Sequence, residues 1–181
     1  KGTSVFGLSN TNKLVRHYSG ATGLKTGTTS KAGHCLSATA ERDGMGLCAV
    51  ILGCSTTDER FGGARKMLDY GFANYAVYTP AVDEASLAPV KVLRGTEPSV
   101  QPQMDSLAPL LIRKGQEKAI TPLFELAEDL EAPVYERQII GRLTLTLDGS
   151  TLAEYDVYAS RAVARLGLKQ AFARLFTALI A

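Results

Sequence analysis

Residues 33–52 read GHCLSATAERDGMGLCAVIL, and this stretch decides the fold of the first part of the chain. Leu36, Ala38 and Ala40 alternate with Cys35, Ser37 and Thr39, the period-2 pattern of a strand with one buried face. The turn Arg42-Asp43-Gly44 follows, and then the apolar run Leu47-Cys48-Ala49-Val50-Ile51-Leu52. Two strand-like runs joined by a tight Asp-Gly turn predict a buried antiparallel hairpin. Downstream, Ser55, Thr56 and Thr57 offer helix caps, and both Ser55…Asp58 and Thr56…Glu59 have the spacing of a capping box. Phe61, Ala64, Leu68, Phe72 and Tyr75 then recur three or four apart, which gives a helix one apolar stripe to lay on the hairpin. Upstream, residues 1–24 hold Gly2, Gly7, Gly20 and Gly23 and the polar run Ser9-Asn10-Thr11-Asn12; they read as loop without a core of their own.

Past Tyr78-Thr79-Pro80 the character changes. All seven prolines, Pro80 to Pro133, fall between short β-type runs such as Val90-Lys91-Val92-Leu93 and Pro109-Leu110-Leu111-Ile112-Arg113. Residues 142–147 alternate strictly and end in Asp148-Gly149-Ser150, a second hairpin signal. A small all-β, sandwich-like domain over 79–160 is expected, after a first domain over 1–78. Beyond Asp156 there is no acidic residue, while Arg161, Arg165, Lys169 and Arg174 are basic. Leu168, Phe172, Leu175, Phe176, Leu179 and Ile180 share one helical face, so residues 161–181 are expected to be a basic connector, a break at Gly167, and an amphipathic helix at a membrane surface.

With 181 residues, 45% of them hydrophobic and 21% charged, the chain can build a real core. A net charge of +2 is too small to imply a nucleic-acid partner. Cys35, Cys48 and Cys54 show no metal-ligand spacing with each other or with His17 and His34; the cysteines read as buried or free thiols and the histidines as structural. No cofactor or metal is expected. No run approaches the roughly 18 apolar residues that a spanning helix requires. The opening at Lys1, directly into a polar stretch, suggests that an amino-terminal part precedes it.

Chemistry is carried by Lys25-Thr26-Gly27, which leads into Thr28-Thr29-Ser30-Lys31-Ala32-Gly33 and the hairpin. A lone K-T-G is a weak signal, but serine acyl-transfer sites place this triplet on a strand beside the nucleophile. There a cation and hydroxyls bind a peptide carboxylate while backbone N–H groups meet the developing oxyanion. Residues 10–33, read together with the hairpin, the helix ending Lys66-Met67-Leu68-Asp69-Tyr70-Gly71-Phe72, the Pro-rich β domain and the basic tail, resemble the carboxy-terminal part of the low-molecular-mass D-alanyl-D-alanine carboxypeptidases, penicillin-binding proteins of the peptidase S11 type.

The resemblance implies a remnant of the α/β penicillin-binding (β-lactamase-like) fold, a hairpin plus helix, followed by the β domain and the tail helix. It implies that Lys25 and Thr26 hold the substrate's terminal carboxylate, that Gly27 lets the peptide lie close, and that the Thr28 backbone N–H is an oxyanion donor. Arg60, placed by counting back from Gly71, takes an auxiliary carboxylate-binding role. The implied partners are the peptidoglycan pentapeptide stem, β-lactams, an amino-terminal catalytic segment and the outer face of the bacterial cytoplasmic membrane. The sequence contains neither S-x-x-K nor S-x-N, so the acylated serine, its lysine and the second serine lie elsewhere. Two competing readings are a relative within the superfamily, such as a class A β-lactamase or a sporulation-specific carboxypeptidase, and an inactive homologue acting as a membrane-associated scaffold.

Overall fold

The structure is a computed structural model and describes residue 7 and residues 9–172. It divides into two compact units: one runs through Tyr78 and takes in Leu111–Gly115, and the other holds Thr79–Leu110 and the chain from Gln116 onward.

The first unit contains α1 (Leu14–His17), β1 (Ala21–Thr29), β2 (Gly33–Arg42), β3 (Met45–Cys54), α2 (Thr57–Asn74) and β4 (Tyr75–Tyr78). Strands β1, β2 and β3 form an antiparallel sheet in that order. The hairpin turns on Asp43 and Gly44, with φ of 50° and 74°, the left-handed pair of a type I′ turn whose twist matches the strands it joins. Of the two capping boxes that the sequence allows, Thr56…Glu59 forms. The Glu59 N–H donates to Thr56 Oγ1 at 3.2 Å, and the Thr56 N–H donates to Glu59 Oε2 at 3.3 Å. The expected stripe then lies down on the sheet: Phe61, Ala64, Leu68 and Phe72 are buried in one cluster with Leu36, Ala38, Ala40 and Ala49.

Residues 1–24 were expected to lack a core, and here the structure differs. Leu14 and Tyr18 are buried in the same cluster, and β1 begins at Ala21. The polar run is what anchors this segment. Asn12 Oδ1 accepts from the Leu14 N–H at 3.1 Å, and Asn10 Oδ1 accepts from the Asn12 N–H at 2.9 Å. Tyr18 donates to Asp69 Oδ1 on α2 at 2.8 Å, and the Arg42 guanidinium lies 4.6 Å from the Tyr18 ring centroid and 4.4 Å from that of Phe72. Burial, with the Asp69 hydrogen bond second, pushes the Tyr18 phenol up to about 12.

The second unit holds β5 (Val90–Leu93), β6 (Ser99–Val100) and β7 (Pro102–Gln103). The strand β8 (Leu110–Arg113) leaves it to pair with β4, so the run at 109–113 does not join the β domain's sheets. After it come β9 (Thr121–Leu126), β10 (Asp129–Glu131), β11 (Ile139–Leu147) and β12 (Ser150–Ala159). One sheet runs β10-β5-β6 and the other β7-β12-β11-β9. They share a core that includes Val90, Val92, Val100, Leu143, Leu145 and Val157, as two faces of a sandwich do. Hairpin β11–β12 turns on Asp148 and Gly149, again both at positive φ.

Residues 161–166 are not a connector but part of this unit. Val163 is buried and bridges Val134, the Thr96 N–H donates to Ala164 O at 2.8 Å, and the Leu166 N–H donates to Arg94 O at 2.7 Å. Arg161 pairs with Glu97 at 3.1 Å. The alternation of Arg161 and Arg165 with Val163 is strand periodicity, which the charge count hides. Residues 168–172 are helical, with Leu168 and Phe172 exposed. The remainder of the expected tail helix lies outside the described residues.

Candidate active site

The segment Lys25–Thr28 lies on β1, the terminal strand of its sheet, in register with β2: Lys25 opposite Ser37, Thr26 opposite Leu36, Gly27 opposite Cys35 and Thr28 opposite His34. Strand alternation sends Thr26 and Thr28 to one face and Lys25 and Gly27 to the other. The capping box begins α2 at Thr57, and this brings Arg60, in the first turn, up to the strand from behind.

Arg60 is buried, with 7% of its surface exposed. Its Nη1 lies 3.2 Å from each of three acceptors, Gly27 O, Thr28 Oγ1 and Cys35 O. One guanidinium nitrogen thus ties both strands at the Gly27–Cys35 pair. Among the described residues this charge is met by carbonyl and hydroxyl oxygens and by the Phe61 ring, 4.9 Å away, rather than by a carboxylate. Its Nε is buried without a partner.

Lys25 is exposed, and its Nζ donates to Thr26 O at 2.7 Å. The two clefts described in this unit, about 200 and 310 Å3, are lined by other residues. Gly27 is open: among the described residues nothing lies within 4 Å of where a Cβ would stand. The structure therefore brings Gly27, Thr28 and Arg60 into direct contact, while Lys25 projects from the strand beside them.

Two further hydroxyls and a histidine complete the surroundings. Thr11 Oγ1 is 2.8 Å from Thr26 Oγ1, and His34 Nδ1 is 3.2 Å from Thr28 Oγ1 and 3.4 Å from Thr57 Oγ1. The sequence marks Thr57 as a helix-cap candidate and gives Thr11 no role beyond its polar run. The pairing of Thr28 with His34 was available from the short connection Ser30-Lys31-Ala32 between the strands, had β1 been extended back through the triplet. Among the described residues no cluster of His, Cys, Asp and Glu could hold a metal, and Cys35, Cys48 and Cys54 are free.

Two family models match in succession: D-alanyl-D-alanine carboxypeptidase over residues 3–56, and the C-terminal domain of penicillin-binding protein 5 over residues 75–165, half of the chain. The chain is 33% identical over 163 residues to the D-alanyl-D-alanine carboxypeptidase DacF of Bacillus subtilis, covering 90% of this chain and 42% of that one. To the DacC carboxypeptidase of Escherichia coli it is 32% identical over 133 residues, 73% of this chain and 33% of the relative. Among solved structures, penicillin-binding protein 5 of Haemophilus influenzae superposes with a TM-score of 0.62 at 28% identity, covering 84% of this chain and 45% of that one. The chain thus spans less than half the length of these relatives. A sheet carrying K-T-G with a helix on one face, followed in sequence by a two-sheet β unit, is the architecture of a penicillin-binding protein. Within that class, the chain belongs to the D-alanyl-D-alanine carboxypeptidase family.

Proposed function

We propose that these 181 residues supply the K-T-G wall and second domain of a serine-type D-alanyl-D-alanine carboxypeptidase, with the acylated serine, its lysine and the second serine contributed by sequence outside them. One observation carries the reading: two cations, Lys25 and Arg60, sit on or against one strand end among hydroxyls, and neither is in an ion pair with a carboxylate among the described residues. An uncompensated positive edge with open space over Gly27 suits a peptide ending in a carboxylate.

In this mechanism Lys25 Nζ leaves Thr26 O and the Thr26 hydroxyl leaves Thr11, and the two meet the terminal carboxylate of the peptidoglycan stem around the exposed edge of the strand. Arg60 adds positive potential from behind the strand. The serine oxygen attacks the carbonyl carbon between the last two D-alanines, and the oxyanion takes a hydrogen bond from the Thr28 backbone N–H. The C–N bond breaks, the D-alanine amine leaves with a proton, and water hydrolyses the resulting ester. β-Lactams acylate the same serine. Peptidoglycan lies outside the cytoplasm, so this site works on the outer side of the bacterial membrane. The exposed Leu168 and Phe172, one helical turn apart with Lys169 between them, begin a peripheral anchor.

The test is reconstitution. The chain is combined with the amino-terminal segment of the same protein and exposed to a fluorescent penicillin. Covalent labelling that Lys25→Ala weakens at least tenfold is the expected result; no labelling of the combined protein overturns the enzyme reading.

A further inference from the structure

Two hydroxyls converge on one ring nitrogen beside the strand of Lys25–Thr28. Thr28 Oγ1 lies 3.2 Å and Thr57 Oγ1 3.4 Å from His34 Nδ1, and Thr28 Oγ1 also lies 3.2 Å from Arg60 Nη1. A guanidinium nitrogen only donates, so Arg60 occupies a lone pair of the Thr28 hydroxyl. The hydroxyl keeps a second lone pair and its single proton, and His34 Nδ1 is the described ring nitrogen within hydrogen-bond reach of them. With Thr28 donating to His34, one direction runs through the chain, from Arg60 to Thr28 to His34. A ring nitrogen that accepts carries no proton, which puts the proton of the neutral imidazole on Nε2.

We propose that His34 is a positioning residue for the candidate site, holding residue 28 through an Nε2–H imidazole whose Nδ1 receives the Thr28 proton. The proposal rests on the reading of residues 25–28 as a substrate wall. His34 stands directly across from Thr28 in the β1–β2 register, and Thr57, which approaches the same nitrogen, opens the helix that also carries Arg60. Thr28 is therefore held between β2 and the first turn of α2, while Arg60 also fixes the carbonyl of its neighbour Gly27. A side chain held at two points has one rotamer, and its peptide unit is fixed with it. The hydroxyl proton is committed inward, so Thr28 offers a substrate its backbone N–H and not its side chain. This is the pre-organisation that an oxyanion donor requires.

The test begins with the chain itself, labelled with 15N at histidine. It contains two histidines, so a His17→Gln variant assigns both rings. At a pH where its own 15N shifts show a neutral ring, His34 is expected to carry its proton on Nε2, and the double substitution Thr28→Val with Thr57→Val is expected to give a mixture of tautomers. A proton on Nδ1 in the unsubstituted chain, or a tautomer unchanged by the double substitution, overturns the proposal. The second readout is rescue in the reconstituted protein. His34→Asn keeps an acceptor close to the Nδ1 position and is expected to acylate with penicillin within about twofold of the parent, whereas His34→Phe is expected to be about tenfold slower with unchanged non-covalent affinity. Equal slowing by both variants refutes positioning through an accepted proton. Should no variant and no parent protein be labelled, the carboxypeptidase reading falls, and the His34 tautomer still decides the hydrogen-bond chain.

Discussion

Replacing Arg60 by Met removes the link between α2 and the Gly27–Cys35 pair while keeping a long apolar stem in the same space. The size of the effect follows from the bonds lost and the charge removed. Nη1 carries two protons for its three acceptors, so at most two full charge-assisted bonds are at stake, worth about 1.5–3 kcal/mol each. Against this stands relief: a buried charge without a carboxylate partner, and a buried Nε with no partner, cost about 1–3 kcal/mol. The midpoints of these ranges leave a local loss of about 2–3 kcal/mol. Amide hydrogen exchange across Thr26–Thr29 reads this directly, because exchange through local opening accelerates tenfold for every 1.4 kcal/mol. Exchange there should quicken about 30- to 150-fold, with amides of β11 and β12 unchanged. Arg60→Lys should recover only part of the loss, because an ammonium lacks the planar fork. A change below threefold at Thr26–Thr29 in Arg60→Met would refute the view that Arg60 holds this strand.

Three more outcomes follow from particular contacts. Tyr18 has its phenol pushed up to about 12 from an ordinary value of 10, so its contribution to stability is complete below pH 10 and is lost as the pH rises towards 12; urea melts should show a steep decline over that window, and Tyr18→Phe should flatten it. At Gly95 an added Cβ would stand 2.8 Å from Glu97 O and from Val163 Cγ1 and 2.9 Å from Val92 Cγ1, so Gly95→Ala should destabilise the β unit by about 1–3 kcal/mol, seen as a lower thermal midpoint with β1–β3 exchange unchanged. The intact chain should pellet with anionic vesicles and a chain lacking residues 168–181 should not; equal binding by the two removes the anchor.

The hairpins, the capping box and the apolar stripe were legible because each is a local pattern: alternation, an Asp-Gly turn, a Thr and a Glu three apart. What escaped depends on partners distant in sequence. Tyr18 enters the core by way of Asp69, 51 residues away, and no local pattern announces that. Strand β8 looks like any other short run in its domain, yet its partner is β4. Arg161 and Arg165 signal charge when counted, but their alternation with Val163 is the strand pattern that buries it. In the site, the triplet was legible as a motif, but the contacts that Arg60 makes were not. Counting from Gly71 placed Arg60 near the substrate carboxylate; the geometry shows its Nη1 already engaged with the strand itself.

Buried polar atoms without partners are uncommon in folded proteins, and where local rules are broken a function is the usual compensation. Among the described residues they are Asn12 Nδ2 and Arg60 Nε. They are far apart in sequence, yet both belong to residues that flank the same strand. Asn12 follows Thr11, whose hydroxyl meets Thr26; Arg60 meets Gly27 and Thr28. The stability of the β2–β3 hairpin does not ask for either group. The hairpin β2–β3 is closed by its own turn and covered by the apolar stripe of α2, and an apolar side chain at position 60 would avoid burying a charge. The polar scaffolding is concentrated instead where a strand end must stay in place with few neighbours of its own, since β1 is terminal in its sheet and Gly27 faces open space. On the proposed function this strand meets a peptide backbone, which rules out apolar cover on that side and leaves hydrogen bonds from behind as the means of fixing it.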